Sequence, residues 1–239
     1  MSDKTAVVVG GTSGIGLATA RQLGQRGATV HVTGRSAARL DAVRQEYPEL
    51  QVHSVDGSSR AAMDDLFAAV GPIDWVVLAL SGGAGAGPLA GLDLDVLRGA
   101  FDAKFWPQLT CAQAALPHLT PDGSITFISA GSARASIPGT AGLAAVNGAL
   151  EAMVRPLAVE LAPIRVNAVS PGIVDTPWWD GMPADVRADF FEKARTTLPV
   201  RRVATADDVA ESVVLMATNP NLTGTVIETD GGGRLVPLG

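Results

Sequence analysis

Few side chains in this sequence can act as acids, nucleophiles or metal ligands, since its 239 residues include one tyrosine, one cysteine and three histidines. Cys111 has no second cysteine with which to form a disulfide within the chain. His31, His53 and His118 are not spaced with cysteines or carboxylates as the ligands of a metal site would be. We therefore predict neither a disulfide nor a metal centre.

The sequence also lacks clustered positive charge and long apolar segments. Its formal net charge is −6 and its longest run of basic residues is Arg201-Arg202, whereas a nucleic-acid binder needs grouped lysines and arginines to neutralise phosphates. No stretch reaches the roughly 18 apolar residues of a membrane span, and residues 1–4 lead into a strand-like segment without a signal-peptide pattern. We expect a cytoplasmic protein with a small-molecule partner and with no nucleic-acid or membrane partner.

The sequence does contain enough apolar material for a large core. Hydrophobic residues make up 47% of the chain and charged residues 18%, and the mean hydropathy is +0.25, which excludes an intrinsically disordered protein. The length suits one α/β domain built around one sheet. Because no repeat, low-complexity tract or shift in composition divides the chain, we predict a single domain over residues 1–239.

Short β-branched runs alternate with longer segments of helical periodicity, which is the pattern of a parallel sheet covered by helices. The runs are mostly continuous in apolar character, as expected for strands buried on both faces. We predict an α/β fold, a single doubly wound (Rossmann) domain with a seven-stranded parallel sheet and helices on both faces. The predicted strands are 5–9, 29–33, 52–55, 75–80, 124–128, 165–169 and 225–228, and the predicted helices are 15–26, 37–47, 61–70, 94–118, 143–161 and 206–218.

Local sequence signals indicate where several of these helices begin and where a proline interrupts two of them. Ser36, Ser59 and Thr205 stand at positions where they can cap the N-terminus of a helix. Pro107 and Pro156 fall inside the two longest helical segments, where a proline removes a hydrogen bond and favours a kink. The continuity of those two helices is therefore uncertain from the sequence.

Residues 173–200 have no clear role in the sheet. They carry Trp178, Trp179, Phe190 and Phe191 between prolines. A long irregular segment of this kind suits a lid over a substrate, and we predict a substrate-lid insert. The alternative is that the aromatic residues pack the insert onto the domain or onto a partner subunit.

A glycine-rich turn joins the first predicted strand to the first predicted helix. Backbone amides of such a turn, together with the helix N-terminus, can face a pyrophosphate. One glycine permits the tight turn, one lets the backbone approach the phosphate, and one allows close packing of the helix. The predicted cofactor-binding residues of the turn are Gly10, Thr12, Ser13, Gly14, Ile15 and Gly16.

The end of the second predicted strand places Arg35 and Ser36 where a dinucleotide fold contacts the adenosine ribose. An acidic residue there would bind the 2′-hydroxyl of NAD, whereas a guanidinium can bind a 2′-phosphate through two hydrogen bonds. The predicted cofactor is therefore NADP(H). The alternative is that Arg35 is an ordinary solvated arginine at the start of a helix.

From residue 4 to residue 233 the chain resembles the short-chain dehydrogenase/reductase family. Gly10, Gly14 and Gly16 look like the glycine triplet of that family, although Val9 stands where a threonine is usual. Residues 230–232, Asp-Gly-Gly, are similar to its C-terminal turn. The resemblance supports the predicted fold and implies hydride transfer with a nicotinamide cofactor.

The same resemblance implies further cofactor contacts. Asp56, after the third predicted strand, matches a residue that contacts adenine in relatives. Pro171, Gly172, Ile173 and Thr176 belong to a segment similar to the one that closes over the nicotinamide in the family. These five residues complete the predicted cofactor site, together with Asn147, which is treated next.

Members of the family reduce a carbonyl with a tyrosine as general acid, a lysine four residues later that lowers the phenol pKa, a serine thirteen residues before the tyrosine, and an asparagine on the preceding long helix. Aligned on the helix that follows the tyrosine, this chain has Leu143 at the tyrosine position and Asn147 at the lysine position. Ala130 stands at the serine position and Lys104 at the asparagine position. Every catalytic position departs from the family pattern.

Lysine and asparagine have exchanged places, so Lys104 could direct an ammonium towards the substrate while Asn147 binds the ribose. Ser129 and Ser132 are close enough to position 130 for either to replace the serine, and Tyr47 lies on a different helix. Burial of Lys104 in an apolar pocket would lower its pKa towards the range useful for proton transfer. The predicted catalytic residues are Lys104, Asn147, Ser129 and Ser132; the alternative is independent drift in an inactive site.

We therefore expect an NADP(H)-dependent oxidoreductase that transfers a hydride to or from a small carbonyl, enone or imine substrate through a non-standard proton relay. A positioned general acid contributes about 10²–10⁴ in rate, whereas holding the reactants together can supply roughly 7–11 kcal/mol, so loss of the tyrosine need not end hydride transfer. The alternative is a catalytically inactive dinucleotide-binding sensor or scaffold. The resemblance also implies a homodimer or homotetramer assembled through the two long helices.

Overall fold

A computed structural model describes residues 3–236 of the chain. Residues 1–2 and 237–239, the ends of the domain predicted over 1–239, lie outside the described residues. The strands are β1 Thr5–Val9, β2 Thr29–Gly34, β3 Gln51–Ser54, β4 Ile73–Leu78, β5 Leu119–Ile128, β6 Arg165–Pro171, β7 Val174–Asp175, β8 Ala204–Thr205 and β9 Val226–Thr229. The α-helices are α1 Gly14–Gln25, α2 Ala37–Glu46, α3 Arg60–Val70, α4 Leu94–Ala115, α5 Ala141–Glu160, α6 Ala184–Thr197 and α7 Ala206–Thr218.

Seven of the strands form one parallel sheet in the order β3-β2-β1-β4-β5-β6-β9. Helices cover both faces of this sheet, so the prediction of a doubly wound domain with a seven-stranded parallel sheet is confirmed. The chain winds from β1 towards β3 on one side and from β4 towards β9 on the other. In sheets of this kind, ligands bind at the carboxyl ends of the strands where the winding reverses, here between β1 and β4.

The two faces of the sheet bury separate hydrophobic clusters, because neighbouring residues of a strand point to opposite faces. On β1, Val7 and Val9 belong to the cluster formed with α3, α4 and α5. Ala6 and Val8 belong to the cluster formed with α1, α2 and α7. All four side chains are fully buried. The loops at the carboxyl ends of the strands are therefore mounted on a closely packed support.

All seven predicted strands of the main sheet are present, and their ends differ from the predicted ones by a few residues. The largest difference is in β5, which begins early because Leu119 pairs with Ile73 of β4 before a shift in register. The predicted helix caps are confirmed: the side chains of Ser36, Ser59 and Thr205 each accept a hydrogen bond from a backbone N–H in the first turn.

The helices α4 and α5 continue through Pro107 and Pro156, so the doubt that these prolines raised about helix continuity was unfounded. A proline inside a helix removes one N–H···O bond. In α4 that loss is offset by packing, since Pro107, Gln108 and Cys111 are all buried. A continuous α4 matters for the site because the helix carries Lys104 next to α5.

Residues 173–200 contain the helix α6, which the sequence pattern does not predict. The helix follows Pro183, whose side chain cannot cap an N-terminus, so the usual start signal is missing. The short strands β7 and β8 pair in parallel on either side of the segment. The insert is therefore an ordered helix closed at its base by a small sheet.

Neither a membrane-spanning helix nor a metal cluster is found within residues 3–236. No helix in that range combines the length and the apolar character needed to cross a bilayer. No group of three or more His, Cys, Asp or Glu side chains there is arranged to hold an ion.

Candidate active site

The turn between β1 and α1 is built so tightly that two of its glycines, Gly10 and Gly16, cannot be replaced without displacing backbone. Gly10 has φ +83°, and a methyl group on it would lie 2.8 Å from the carbonyl oxygen of Ala79. A methyl group on Gly16 would lie 2.2 Å from the carbonyl oxygen of Gly10. The turn and the start of α1 are therefore pressed against each other and against the end of β4, as a phosphate-binding turn requires.

The N-terminus of α1 is open to an anion. Within residues 3–236, Ser13 stands at the N-cap but makes no side-chain cap bond, and the first turn of α1 contains no acidic residue. Thr12 packs against Gly34, where a methyl group would lie 2.6 Å from the Thr12 Cγ2 atom. Backbone N–H groups at such a helix start attract phosphate, so the residues present fit a dinucleotide pyrophosphate.

Arg35 and Asp56 lie at the ends of β2 and β3, beyond the glycine-rich turn. The Arg35 side chain is 78% exposed, and its Nη1 atom lies 4.0 Å from Asp56 Oδ2. Hydrogen bonds from Ser58 hold the pKa of Asp56 below its usual value. Ser36 uses its hydroxyl to cap α2 by accepting from Arg39 N at 3.4 Å. The Arg35 guanidinium is therefore loosely held and accessible to an anion.

The segment after β6 lies between the glycine-rich turn and the loop after β5. Gly172 is confined there, since a methyl group on it would lie 2.7 Å from the Asp230 Cα atom. Ideal methyl groups on Gly14 and Gly131 would lie 3.4 Å from the Thr176 side chain and 3.3 Å from the Pro171 carbonyl oxygen. Pro171, Gly172, Ile173 and Thr176 therefore run next to both the predicted phosphate site and the predicted catalytic loop.

Lys104 and Asn147 meet between α4 and α5, next to that loop. The Lys104 Nζ atom donates to Asn147 Oδ1 at 2.6 Å and to the Ser129 carbonyl oxygen at 2.9 Å. Asn147 Nδ2 donates to Ser132 Oγ at 3.1 Å and to the Leu143 carbonyl oxygen at 2.9 Å. The structure therefore brings all four predicted catalytic residues, Lys104, Asn147, Ser129 and Ser132, into one hydrogen-bonded cluster.

The environment of Lys104 changes its proton affinity. Its side chain is buried, with 6% of the residue exposed, and this burial lowers its pKa from 10.5 to about 8, while the charge of Glu151 acts in the opposite direction. The ammonium form is still the main form at neutral pH, but it releases its proton far more readily than an ordinary lysine does. Such a group is suited to proton transfer.

The two candidate serines differ in how they are held. The Ser129 hydroxyl donates to Glu151 Oε1 at 2.7 Å, with Val169 O further away at 3.3 Å, so Ser129 contacts Lys104 through its carbonyl group alone. The Ser132 hydroxyl accepts from Asn147 and is only partly buried. Ser132 is therefore the serine whose hydroxyl is better placed to meet a substrate.

Sequence reasoning missed the carboxylate that holds Ser129 and the arginine that holds this carboxylate. Arg134 donates to Glu151 Oε2 at 2.8 Å and to Glu228 Oε1 at 2.6 Å. Glu151 lies one helical turn after Asn147 on α5, which is the one signal that could have placed it beside the cluster. The hydrogen bond from Arg134 to Glu228 joins residues far apart in the sequence, so no local sequence pattern indicates it.

The single tyrosine and the single cysteine are placed away from this chemistry. Tyr47 follows α2, which runs from the carboxyl end of β2 towards the start of β3, so it lies at the opposite edge of the sheet from the site. Its hydroxyl donates to Glu46. Cys111 is buried, and burial raises the pKa of its thiol to about 12, so it is not a nucleophile at neutral pH.

A cavity of about 460 Å³ lies between the loop after β4 and the insert at 173–200. Its volume is in the usual range for small-molecule sites. None of the residues that line it carries a charge: they are Ser81, Gly82, Gly83, Trp178, Trp179, Gly181 and Met182. The cavity adjoins α4, since a methyl group on Gly82 would lie 3.0 Å from the Ala103 side chain, next to Lys104.

The two neighbouring tryptophans at this cavity have different surroundings. Trp179 packs against Phe190 and Phe191, with ring centroids 5.0 and 5.7 Å away, and its indole N–H donates to Val174 O at 2.8 Å. Trp178 is 47% exposed and its ring lies against Gly83. Packing of the insert therefore explains Trp179, whereas Trp178 leaves aromatic surface open beside the cavity.

The structure is a doubly wound α/β domain with a tight glycine-rich turn before its first helix and a cavity between the loop after β4 and the insert at 173–200. The family model described as Enoyl-(Acyl carrier protein) reductase matches residues 9–233. The cis-4-hydroxycyclohexanecarboxylate dehydrogenase of Sinomonas cyclohexanicum is 32% identical over 245 residues, which cover 97% of this chain and 96% of that protein. The short-chain dehydrogenase/reductase malC of Malbranchea aurantiaca is 29% identical over 249 residues, covering 96% and 94%.

Among solved structures, a small-chain dehydrogenase in complex with NADPH has the same fold, with a TM-score of 0.85 and 36% identity, and the match covers 97% of this chain and 99% of that chain. These similarities extend over nearly the whole chain. The protein therefore belongs to the short-chain dehydrogenase/reductase family of oxidoreductases, as its glycine-rich turn and its C-terminal turn predicted.

Burial of Lys104 has a consequence for stability that can be measured. Because the pKa of Lys104 is lowered to about 8 in the folded chain, the unfolded chain binds more protons above pH 8, and stability rises with pH there. We expect the stability of the wild type relative to Lys104→Met to increase by about 2 kcal/mol between pH 8 and 10. Urea unfolding of both proteins at each pH measures this difference.

Lys4→Met is the control, because a hydrogen bond with Asp74 raises the pKa of Lys4. Removing Lys4 should therefore leave the difference from the wild type nearly constant over the same pH range. A constant difference for Lys104→Met as well would show that Lys104 titrates like a solvated lysine.

Proposed function

We propose that the protein is an NADP(H)-dependent oxidoreductase that transfers a hydride to or from a small carbonyl, enone or imine substrate, with Lys104 as its proton donor. The observation that carries the proposal is the buried hydrogen bond between Lys104 Nζ and Asn147 Oδ1, next to the segment at 171–176. NADPH would supply the hydride when bound. We assign delivery of the proton to a side chain of the site, and Tyr47 is too far from the site to provide it.

The cofactor assignment rests on the open N-terminus of α1 and on the exposed guanidinium of Arg35. The 36% identical relative of known structure is in complex with NADPH, which supports NADP(H) over NAD(H). The residues that we propose for the cofactor are Gly10, Thr12, Ser13, Gly14, Ile15 and Gly16 for the pyrophosphate, Arg35 and Ser36 for the 2′-phosphate, Asp56 for adenine, Asn147 for the ribose, and Pro171, Gly172, Ile173 and Thr176 for the nicotinamide.

Asn147 has a second role in this proposal, which is to orient Lys104. Both of its amide hydrogens and its oxygen are already used, by Ser132, Leu143 and Lys104. Asn147 can therefore donate to a ribose hydroxyl only by exchanging one partner, and Ser132 is the one on the side of the loop. In its bond with Asn147 the Ser132 hydroxyl is the acceptor, so its own hydrogen can be donated to the substrate carbonyl.

The lining of the cavity limits the substrate. Because no charged side chain lines it, a charged group on the substrate would find no ion-pair partner there. The open ring of Trp178 favours a flat, apolar molecule. We therefore propose an uncharged carbonyl, enone or imine compound held between the loop after β4 and the lid insert at 173–200.

A second candidate function is a catalytically inactive dinucleotide-binding sensor or scaffold. The observation that favours it is that Lys104 is almost fully buried and already donates to two oxygen atoms, as a purely structural lysine would. The cofactor site is compatible with both functions. Location in the cytoplasm and assembly into dimers or tetramers through α4 and α5 remain predictions for either function.

The cofactor assignment predicts the behaviour of Arg35→Ala. We expect NADPH binding to weaken about 10- to 100-fold, because a hydrogen bond to a charged group contributes roughly 1.5–3 kcal/mol. NADH binding should not change, since NADH has no 2′-phosphate. Isothermal titration calorimetry with both dinucleotides measures the difference, and Arg26→Ala at the far end of α1 is the control. Equal loss for both dinucleotides would contradict the assignment.

The proton-donor assignment predicts the behaviour of Lys104→Met. Stopped-flow absorbance can follow NADPH oxidation with a panel of activated ketones, enones and imines. We expect the variant to lose about 10²–10⁴ in kcat while NADPH affinity stays within a few-fold, and Lys4→Met to keep wild-type activity. Full activity in Lys104→Met would rule out the relay, and NADPH binding without turnover by the wild type would favour the inactive alternative.

The substrate assignment predicts that replacing Trp178 changes substrate binding, whereas replacing Trp179 changes stability. We expect Trp178→Ala to raise KM for an aryl ketone about 3- to 10-fold, because an aromatic contact contributes roughly 0.5–1.5 kcal/mol, and to leave KM for a small aliphatic ketone unchanged. Trp179→Ala should instead lower the thermal unfolding midpoint, because Trp179 packs the insert. An equal change of KM for both ketones would show that Trp178 does not contact the substrate ring.

A further inference from the structure

We propose that Glu151 is a positioning residue, which keeps Lys104 in its ammonium form and fixes Ser129 between the two charges. This inference rests on the proposed function, since Lys104 is the proton donor there. Ser129 bridges the two groups: its carbonyl oxygen accepts from Lys104 Nζ at 2.9 Å, and its hydroxyl donates to Glu151 Oε1 at 2.7 Å. One residue therefore connects the acid to a carboxylate on the next helix.

Burial makes this connection important. Ser129 is 1% exposed, and the side chain of Glu151 is 8% exposed. An isolated charge of either sign would be unfavourable at such a place. The ammonium of Lys104 and the carboxylate of Glu151 therefore stabilise each other, although they do not touch.

Glu151 is itself held by an ion-pair chain that runs to the C-terminal turn. Arg134 bonds Glu151 and Glu228, and Arg234 bonds Glu228 at 3.0 Å and Asp230 at 2.8 Å. This ion-pair network consists of three carboxylates (Glu151, Glu228 and Asp230) and two guanidiniums (Arg134 and Arg234), so it has one net negative charge. The ammonium of Lys104 neutralises that charge. These charges face the cluster from the loop after β5, from α5, from β9 and from the C-terminal turn.

The geometry excludes direct proton transfer between Glu151 and a substrate. Both oxygen atoms of the carboxylate are occupied, Oε1 by Ser129 and Oε2 by Arg134. Glu151 therefore acts on Lys104 through its field and through the fixed carbonyl group of Ser129. Its negative charge raises the pKa of Lys104 against the effect of burial, so removal of that charge should leave less ammonium at neutral pH.

The effect of Glu151 on the pKa of Lys104 can be measured directly, because the protein has three lysines, Lys4, Lys104 and Lys193. In protein labelled with ¹³C-lysine, NMR resolves three side chains, and Lys4→Met and Lys193→Met assign them. We expect Glu151→Gln, which can still bond Ser129, to lower the pH midpoint of Lys104 by roughly one unit. Glu160→Gln, an exposed change on the same helix, is the matched control and should not move it.

A second variant keeps the inference testable if Glu151→Gln fails to fold. Arg134→Gln removes the positive charge that offsets Glu151, so the midpoint of Lys104 should move to higher pH. Movement in opposite directions for Glu151→Gln and Arg134→Gln supports the inference. A midpoint that stays unchanged or rises in Glu151→Gln overturns it, and if that variant does not fold, a midpoint that stays unchanged or falls in Arg134→Gln overturns it.

Failure of this inference can be told apart from failure of the proposed function. For the reduction of an aryl ketone, loss of the ammonium gives a basic limb in the pH profile of kcat, and Glu151→Gln should move this limb to lower pH by the same amount as the NMR midpoint. If Glu151 has only a structural role, Glu151→Gln should lower kcat at every pH without moving the basic limb, and that result overturns the inference. A shifted NMR midpoint without a shifted limb supports coupling to Glu151 and rejects Lys104 as the donor.

Discussion

The hydrogen bond from the Lys104 ammonium to Asn147 joins the two longest helices of the domain at the carboxyl edge of the sheet. A charge buried there is stable only if every neighbour stays in place, because an unpaired buried ion costs several kcal/mol. The partners come from different elements: Ser129 from the end of β5, and Asn147 and Glu151 from α5. The positions of α4, α5 and the loop after β5 are therefore interdependent, and the wall of the cavity beside α4 depends on them.

The fold could be predicted largely because each sheet residue is constrained on both faces. Runs such as Ala6–Val9 are apolar without interruption, and that pattern has few solutions besides a buried parallel strand. The helix α6 could not be predicted, since it begins after Pro183 and owes its place to aromatic packing within the insert. Pro107 and Pro156 suggested breaks in α4 and α5 that the structure does not have, because packing of the helices offsets the loss of single hydrogen bonds.

Part of the site could be predicted from the sequence. The contacts that could not be predicted are those between residues far apart in the chain. The resemblance to the family implies that Lys104 and Asn147 lie in one site, and the structure brings both residues together. Arg134 and Glu228 meet only because β5 and β9 flank the same strand, β6. No local pattern in the sequence encodes such a pair. The choice between Ser129 and Ser132 likewise required knowing that Glu151 occupies the first hydroxyl.

Replacing one kind of acid by another inverts the electrostatic requirement of the site. A phenol is neutral before it gives up a proton, so a nearby positive charge makes it a stronger acid. An ammonium is charged before it gives up a proton, so burial favours loss of the proton, and a nearby negative charge helps to keep the group protonated. If Lys104 is the donor, a carboxylate such as that of Glu151 is therefore the counterpart that an ammonium needs and a phenol does not. The uncharged cavity fits the same logic, because a carboxylate on the substrate would add a second negative charge near the ammonium and make Lys104 a weaker acid.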